Sequence, residues 1–149
     1  MKVCIITGAS SGIGRATAEN MFKRGYKVYG ISRRGGDVEN VVSLCADVTD
    51  EQEIAKAVDT VMAESGRIDV LINHAGFGIS GAIECTKTED AERQFNVNFF
   101  GAVRMCRAVL PIMRKQGFGR IVNIGSVAGD IAIPFQSFYS AAKAALCSY

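Results

Sequence analysis

The chain has no uninterrupted apolar stretch long enough to span a bilayer, no run of Lys or Arg, no CxxC pair and a single histidine. Each absence narrows the function. A spanning helix needs about 20 consecutive apolar residues, so no membrane partner is expected. Net charge is +2 with the basic residues scattered, which gives no case for nucleic-acid binding. The five cysteines, Cys4, Cys45, Cys85, Cys106 and Cys147, are isolated from one another and odd in number. That pattern argues against a disulfide framework or a metal site. It fits buried or semi-buried free thiols in a reducing cytoplasm. There is no internal repeat, low-complexity tract or interdomain linker. Gly125-Ser126-Val127-Ala128-Gly129 misses the GxSxG nucleophile elbow by one residue, which argues against Ser-His-Asp hydrolase chemistry. The opening Met1–Thr7 run is too short for a signal peptide and lacks a cleavage site, so it reads as a strand.

Strand-like and helix-like segments alternate over a length suited to one domain, residues 1–149. Strands are expected at Lys2–Thr7, Lys27–Ser32, Val41–Ala46, Ile68–Asn73 and Arg120–Ile124. Helices are expected at Gly12–Arg24, from a Thr49 or Asp50 cap to about Glu64, over Glu89–Gln116 despite Pro111, and from Ser137 onward. The alternation predicts an α/β fold: a doubly wound parallel sheet with helices on both faces. The last helix carries no stop signal, and Ala141, Ala142, Ala144, Ala145 and Leu146 are strong helix formers. A doubly wound dinucleotide fold has six strands in its usual form. Five are found, so the C-terminal strands of a Rossmann domain are expected to be missing. Either the chain is a fragment or a partner completes the sheet.

Gly8-Ala9-Ser10-Ser11-Gly12-Ile13-Gly14 lies between the first strand and first helix. Glycines permit a tight turn and close backbone approach to a pyrophosphate, and the helix N-terminus offers free N–H groups. The spacing is GxxxGxG rather than GxGxxG. NAD-binding folds place an acidic residue at the end of the second strand, for the ribose 2′-hydroxyl. Here the run is Ser32-Arg33-Arg34. A guanidinium favours a 2′-phosphate through charge-assisted bonds, so NADP(H) is expected over NAD(H), with NAD(H) still possible.

Tyr139 and Lys143 are four residues apart, with Ser126 thirteen residues upstream of Tyr139. Residues at i and i+4 share one helix face. An ammonium near a phenol favours the phenolate, the direction that acid–base work at neutral pH needs. A serine hydroxyl from another segment could hold a carbonyl or alcohol oxygen against that phenol.

With these residues in hand, the chain resembles the short-chain dehydrogenases/reductases over essentially all 149 residues. Asp47-Val48 stands where that family contacts the adenine. Asn73-His74-Ala75-Gly76 resembles the family's Asn-Asn-Ala-Gly, and Asn98 in Asn96-Val97-Asn98-Phe99-Phe100-Gly101 matches its catalytic asparagine. The resemblance implies Tyr139 as proton donor in ketone reduction and acceptor in alcohol oxidation. It implies that Lys143 supports Tyr139 and holds the nicotinamide ribose, that Ser126 orients the substrate oxygen, and that Asn98 holds a water linking Lys143 to solvent. Gly8, Ser10, Ser11, Gly12, Ile13, Gly14, Ser32, Arg33, Arg34, Asp47, Val48, Asn73, Ala75 and Gly76, with Tyr139 and Lys143, are the expected cofactor contacts. His74, second in its turn, is expected to be structural, not catalytic.

Phe77, Ile79, Val127, Ile131, Pro134 and Phe135 form an expected apolar rim, which points to a hydrophobic ketone or secondary alcohol. The Phe77–Glu84 and Pro134-Phe135 stretches look like the hydroxysteroid- and retinol-reducing branch. The family's main specificity loop would follow the missing strand. The resemblance also implies a homodimer or homotetramer at full length, through the helix after Glu89 and the helix bearing Tyr139. The alternative is a truncated nucleotide-binding or interaction module without turnover. The 149-residue chain alone is expected to be aggregation-prone or inactive.

Overall fold

The computed structural model describes residues 1–149. Val3 to Thr7 is a β-branched, apolar run with every residue buried. Burial on both faces is what a central parallel strand requires. This strand, β1 (Lys2–Thr7), pairs in parallel with β2 (Tyr26–Ser32) on one side and β4 (Val70–Asn73) on the other. β3 (Val41–Cys45) and β5 (Arg120–Asn123) complete a five-stranded sheet of order β3-β2-β1-β4-β5.

Two apolar layers hold helices against the sheet. One joins Ile5, Tyr29 and Leu71 to Ile54, Val58 and Val61 of α2 (Glu51–Ser65) and to Met105, Val109 and Met113 of α4 (Gly101–Gln116). The other joins Cys4, Ile6, Val28 and Ile72 to Ala18 and Met21 of α1 (Gly12–Lys23). The doubly wound α/β reading therefore holds. The strand order runs outward from β1 to β2 and β3 on one side and to β4 and β5 on the other, and this switch point between β1 and β4 places a crevice at the carboxyl ends of the strands.

Boundaries move by one or two residues from the sequence reading. Asp50, not Thr49, caps α2: its Oδ1 accepts the N–H groups of Gln52 and Glu53 at 2.8 and 3.0 Å. The single helix expected over Glu89–Gln116 is instead α3 (Thr88–Phe95), a π turn at Asn96–Phe100, and α4. Pro111 is carried on the exposed side of α4. The π turn coincides with Asn98 facing inward, a common association of such bulges with functional sites. Cysteine placement departs from expectation. Cys4 and Cys106 are buried, whereas Cys45, Cys85 and Cys147 are exposed, because they lie on an edge strand, a short 3₁₀ turn and the outer face of the last helix. Burial pushes the Cys4 thiol up to about 12. No helix is long and apolar enough to cross a membrane.

Asp69 fixes the entry of β4. Its buried carboxylate accepts the Val3 N–H at 2.8 Å and is gripped by the Arg67 guanidinium. Burial alone would raise its pKa, but the Arg67 bonds and the Val3 N–H outweigh it, and the carboxyl sits below its usual value. Such a group stabilises the fold above the unfolded-state value, near pH ~4, and that contribution is lost as pH falls through the folded-state value. Asp69→Ala is expected to cost about 1–3 kcal/mol at neutral pH, since the Val3 N–H loses its acceptor. It should also flatten the acid limb of the stability curve. Urea titration from pH 7 to 3 reads both, and wild-type stability in the variant at pH 7 contradicts the assignment.

Candidate functional site

The crevice is a cavity of about 550 Å³ at the carboxyl ends of β1, β2, β3 and β4. Gly8, Ser10, Ser11, Gly12 and Ile13 form one wall, Ser32, Arg33 and Arg34 a second, and Asp47 and Val48 a third. Ala75 and Gly76 close the fourth side. These twelve expected cofactor contacts are brought together from four separate turns.

The loop geometry depends on missing side chains. A Cβ on Gly14 would collide with the carbonyl oxygen of Gly8, so α1 can start hard against the loop only with glycine there. Gly8 has φ +72°, and its Cβ would fall 3.0 Å from Ala75 Cα. The helix start can therefore present free N–H groups to an anion. Arg33 and Arg34 are exposed, and neither takes part in an ion pair of the chain. The donor set fits a dinucleotide: an uncrowded backbone cradle for the pyrophosphate and two free guanidiniums at the end of β2.

Some expected contacts stand elsewhere. Gly14 is buried beneath the loop and does not line the cavity. Asn73 is buried too. Its Nδ2 donates to Asn123 Oδ1 at 2.9 Å, tying β4 to β5. Ile31, Ala46, His74, Phe77 and Val97 line the cavity and were absent from the sequence assignment of cofactor contacts. His74 and Phe77 flank contacts that were assigned, and Ile31 precedes Ser32; nothing in the sequence pattern marked Val97.

The second constellation lies on α5 (Ser137–Ser148) and the turns facing it. Lys143 is buried on α5, one turn beyond Tyr139, with its Nζ 6.0 Å from the Tyr139 ring centroid. Its ammonium donates to the carbonyl of Ile124 at 2.6 Å, just past β5. Burial lowers the Lys143 pKa from its usual value. Ser126 caps the 3₁₀ turn Val127–Gly129, its Oγ accepting the Ala128 N–H at 3.2 Å. The Ser126 hydroxyl hydrogen is left free for another acceptor. A Cβ on Gly129 would lie 3.0 Å from the Lys143 carbonyl, so this turn packs directly on α5. A Cβ on Gly78 would lie 3.8 Å from Tyr139 Cδ2, so the segment after β4 faces the phenol. Asn98 also makes contacts that the sequence reading did not anticipate. Its Oδ1 accepts the Phe77 N–H at 3.0 Å and its Nδ2 donates to the Phe77 carbonyl at 2.8 Å.

Residues 2–149 match the family model described as short chain dehydrogenase. A 3-ketodihydrosphingosine reductase of Bacteroides thetaiotaomicron is 48% identical over 149 residues, covering 99% of this chain and 55% of that protein. A 3-oxoacyl-[acyl-carrier-protein] reductase of Bos taurus is 36% identical, with 99% and 66% covered. The chain thus spans between half and two thirds of the length of these relatives. Among solved structures, the ligand-free aldohexose dehydrogenase of Thermoplasma acidophilum superposes with a TM-score of 0.95 at 35% identity, over 99% of this chain and 58% of that one. ElxO with NADP bound gives 0.91 at 32% identity, over 99% and 64%.

His74 supplies a pH test of this geometry. Burial, and then the charge of Lys143, hold its pKa below the usual histidine value. The folded state therefore keeps the imidazole neutral while the unfolded chain takes up the proton near pH ~6.5. Stability should fall as pH drops from that value to the folded-state value, and the loss should be complete below it. His74→Asn is expected to remove that slope in thermal melts taken between pH 7.5 and 5; an unchanged slope contradicts the assignment.

Proposed function

Because the chain belongs to the short-chain dehydrogenase family, we propose that it carries the nucleotide site and acid–base group of an oxidoreductase acting between NADP(H) and an apolar ketone or secondary alcohol. The observation that carries this reading is that Tyr139 and buried Lys143 share a face of α5 on which the turn capped by Ser126 packs, while a separate cavity is ringed by the glycine loop, Arg33 and Arg34. When bound, the nicotinamide supplies or accepts hydride. The protein's part is orientation and the proton. The Ser126 hydroxyl donates to the substrate oxygen. The Tyr139 hydroxyl gives its proton to that oxygen in reduction and recovers it in oxidation. The Lys143 ammonium stands one helical turn beyond Tyr139, 6.0 Å from its ring centroid. With its carboxamide on Phe77, Asn98 would hold a relay water through a remaining N–H, a remaining lone pair or its main-chain carbonyl at the π turn.

NADP(H) rather than NAD(H) is favoured by two ion-pair-free guanidiniums at the end of β2. A similar structure, ElxO, was solved with NADP bound. Reduction is favoured as the direction, and a 3-oxo compound as the substrate, because both relatives named above are reductases whose names carry a 3-keto or 3-oxo group. Exposed apolar side chains between β5 and α5 support a hydrophobic substituent: Val127, Ile131 and Phe135 are 72, 67 and 68% exposed. Self-association is proposed through α3, α4 and α5, where a cavity of about 850 Å³ is lined by Phe95, Phe100 and Phe138. The competing reading, a nucleotide-binding module without turnover, predicts NADP(H) binding with no NADPH consumption.

Tyr139→Phe in the whole protein is expected to lower NADPH-dependent ketone reduction by roughly 10²–10⁴-fold. The NADPH dissociation constant should stay within about threefold, since the phenol ring is retained. Retained turnover overturns the assignment. Arg33→Ala is expected to reduce the NADPH-to-NADH ratio of kcat/KM by about tenfold or more, the loss of one charge-assisted contact. A wild-type preference for NADH contradicts the cofactor reading.

A further inference from the structure

Residues 74–80 lie outside every helix and strand and form a wall: His74 to Phe77 line the nucleotide cavity, and a Cβ on Gly78 would lie 3.8 Å from the Tyr139 ring. Three buried side chains hold the main chain of this wall. Thr7 Oγ1 accepts the N–H groups of His74 and Ala75, both at 3.0 Å. Asn98 takes both polar groups of Phe77, and Gln94 Nε2 donates to the same Phe77 carbonyl at 3.1 Å. Thr7, Gln94 and Asn98 are 1, 0 and 1% exposed. The sequence reading used Asn98, placed Thr7 only at the end of the first strand and gave Gln94 no part.

Gln94 is costly where it stands. It occupies the inward face of α3 with Ala91, a position suited to an apolar residue. Its Oε1 is buried with no hydrogen-bond partner. A buried carboxamide with an unmet acceptor destabilises a fold relative to an apolar side chain of similar size. The one return visible in the structure is the bond to the Phe77 carbonyl. That bond acts on a residue with two neighbours of consequence. A Cβ on Gly76 would lie 3.1 Å from Asn98 Oδ1, so the wall is pressed onto the clamp. Gly78 abuts the Tyr139 ring.

We propose that Gln94 is a positioning residue: with Asn98, four residues on, it forms a two-amide clamp on the Phe77 carbonyl that sets the distance between the wall and the Tyr139 phenol. The proposal rests on the oxidoreductase reading for its effect on turnover, but the clamp itself is read without turnover. Two donors on one carbonyl fix its direction as well as its position, and the Arg93 guanidinium lies 5.5 Å from the centroid of the Phe77 ring. Releasing one donor lets the Phe77–Gly78 peptide rotate, with the fold of α3 and the nucleotide loop untouched.

The test uses Gln94→Met, which keeps length and removes the donor, and Gln94→Glu, which donates to the carbonyl only when protonated. Both are made in the whole protein. Amide hydrogen exchange of residues 76–80 should speed up about tenfold in Gln94→Met, with the exchange of α1 and α4 unchanged and the melting temperature equal to or above that of the wild type. With NADPH and an apolar ketone, kcat/KM should fall about tenfold, with the NADPH dissociation constant within threefold of wild type. In Gln94→Glu, the ratio of its kcat/KM to that of the wild type should rise as pH falls. The Tyr139, Lys143, His74 and Arg93 charges are common to both proteins and cancel in that ratio. Unchanged exchange at 76–80 overturns the clamp. So does a loss of activity in Gln94→Met that merely follows a lowered melting temperature. Faster local exchange in a protein whose wild type consumes no NADPH keeps the clamp and sinks the oxidoreductase reading.

Discussion

At the carboxyl ends of β1 and β4, two turns approach so closely that a methyl group does not fit between them. Gly8 lies against Ala75, and Gly14 lies against Gly8. Thr7 fastens the contact by accepting two N–H groups from the far turn. This contact brings the phosphate loop, the wall at residues 74–80 and the start of α1 into one cavity. It also explains why Gly14 matters without touching the cavity: it is the spacer that lets α1 begin beneath the loop. The two arginines at the end of β2 and the Asp47-Val48 turn then face the loop because β2 and β3 are in parallel register beside β1.

The first half of the fold was legible because its signals are local. β-branched runs, the glycine loop and the Asp50 cap region each act within a few residues. The doubly wound parallel class followed from the alternation of elements, whereas the strand order β3-β2-β1-β4-β5 came only with the structure. What was not legible depends on contacts between distant residues. The π turn at Asn96–Phe100 has no composition of its own; it accompanies the inward carboxamide of Asn98 meeting Phe77, twenty-one residues away. Val97 reaches the cavity through that same irregularity. Asn73 looked like a cofactor contact by motif, yet it faces Asn123 because β4 and β5 pair in register there. Exposure of Cys45 and Cys147 was invisible for a similar reason: it depends on which strand is an edge and which helix face is outermost.

The proposed chemistry turns on a buried amine. Lys143 is nearly inaccessible, donates to the Ile124 carbonyl and is held below its ordinary pKa by burial. A lysine so placed lowers stability by desolvation, and a methionine would fill the space more cheaply. Its position one helical turn from Tyr139, with the Ser126 turn packed on the same helix, gives that cost a use in the proposed proton transfer. The same logic covers Gln94 and its unmet Oε1. Polar groups that a fold of this kind does not need for stability gather around Tyr139 and Phe77.

The most direct test of the central claim follows an isotope. Whole protein is given NADPH carrying deuterium at the transferable nicotinamide position, with an apolar 3-oxo substrate, and product is analysed by mass spectrometry. The account predicts one deuterium on the new carbinol carbon for each NADPH consumed. NADPH consumed without deuterium in the product, or tight NADPH binding without consumption, would contradict it.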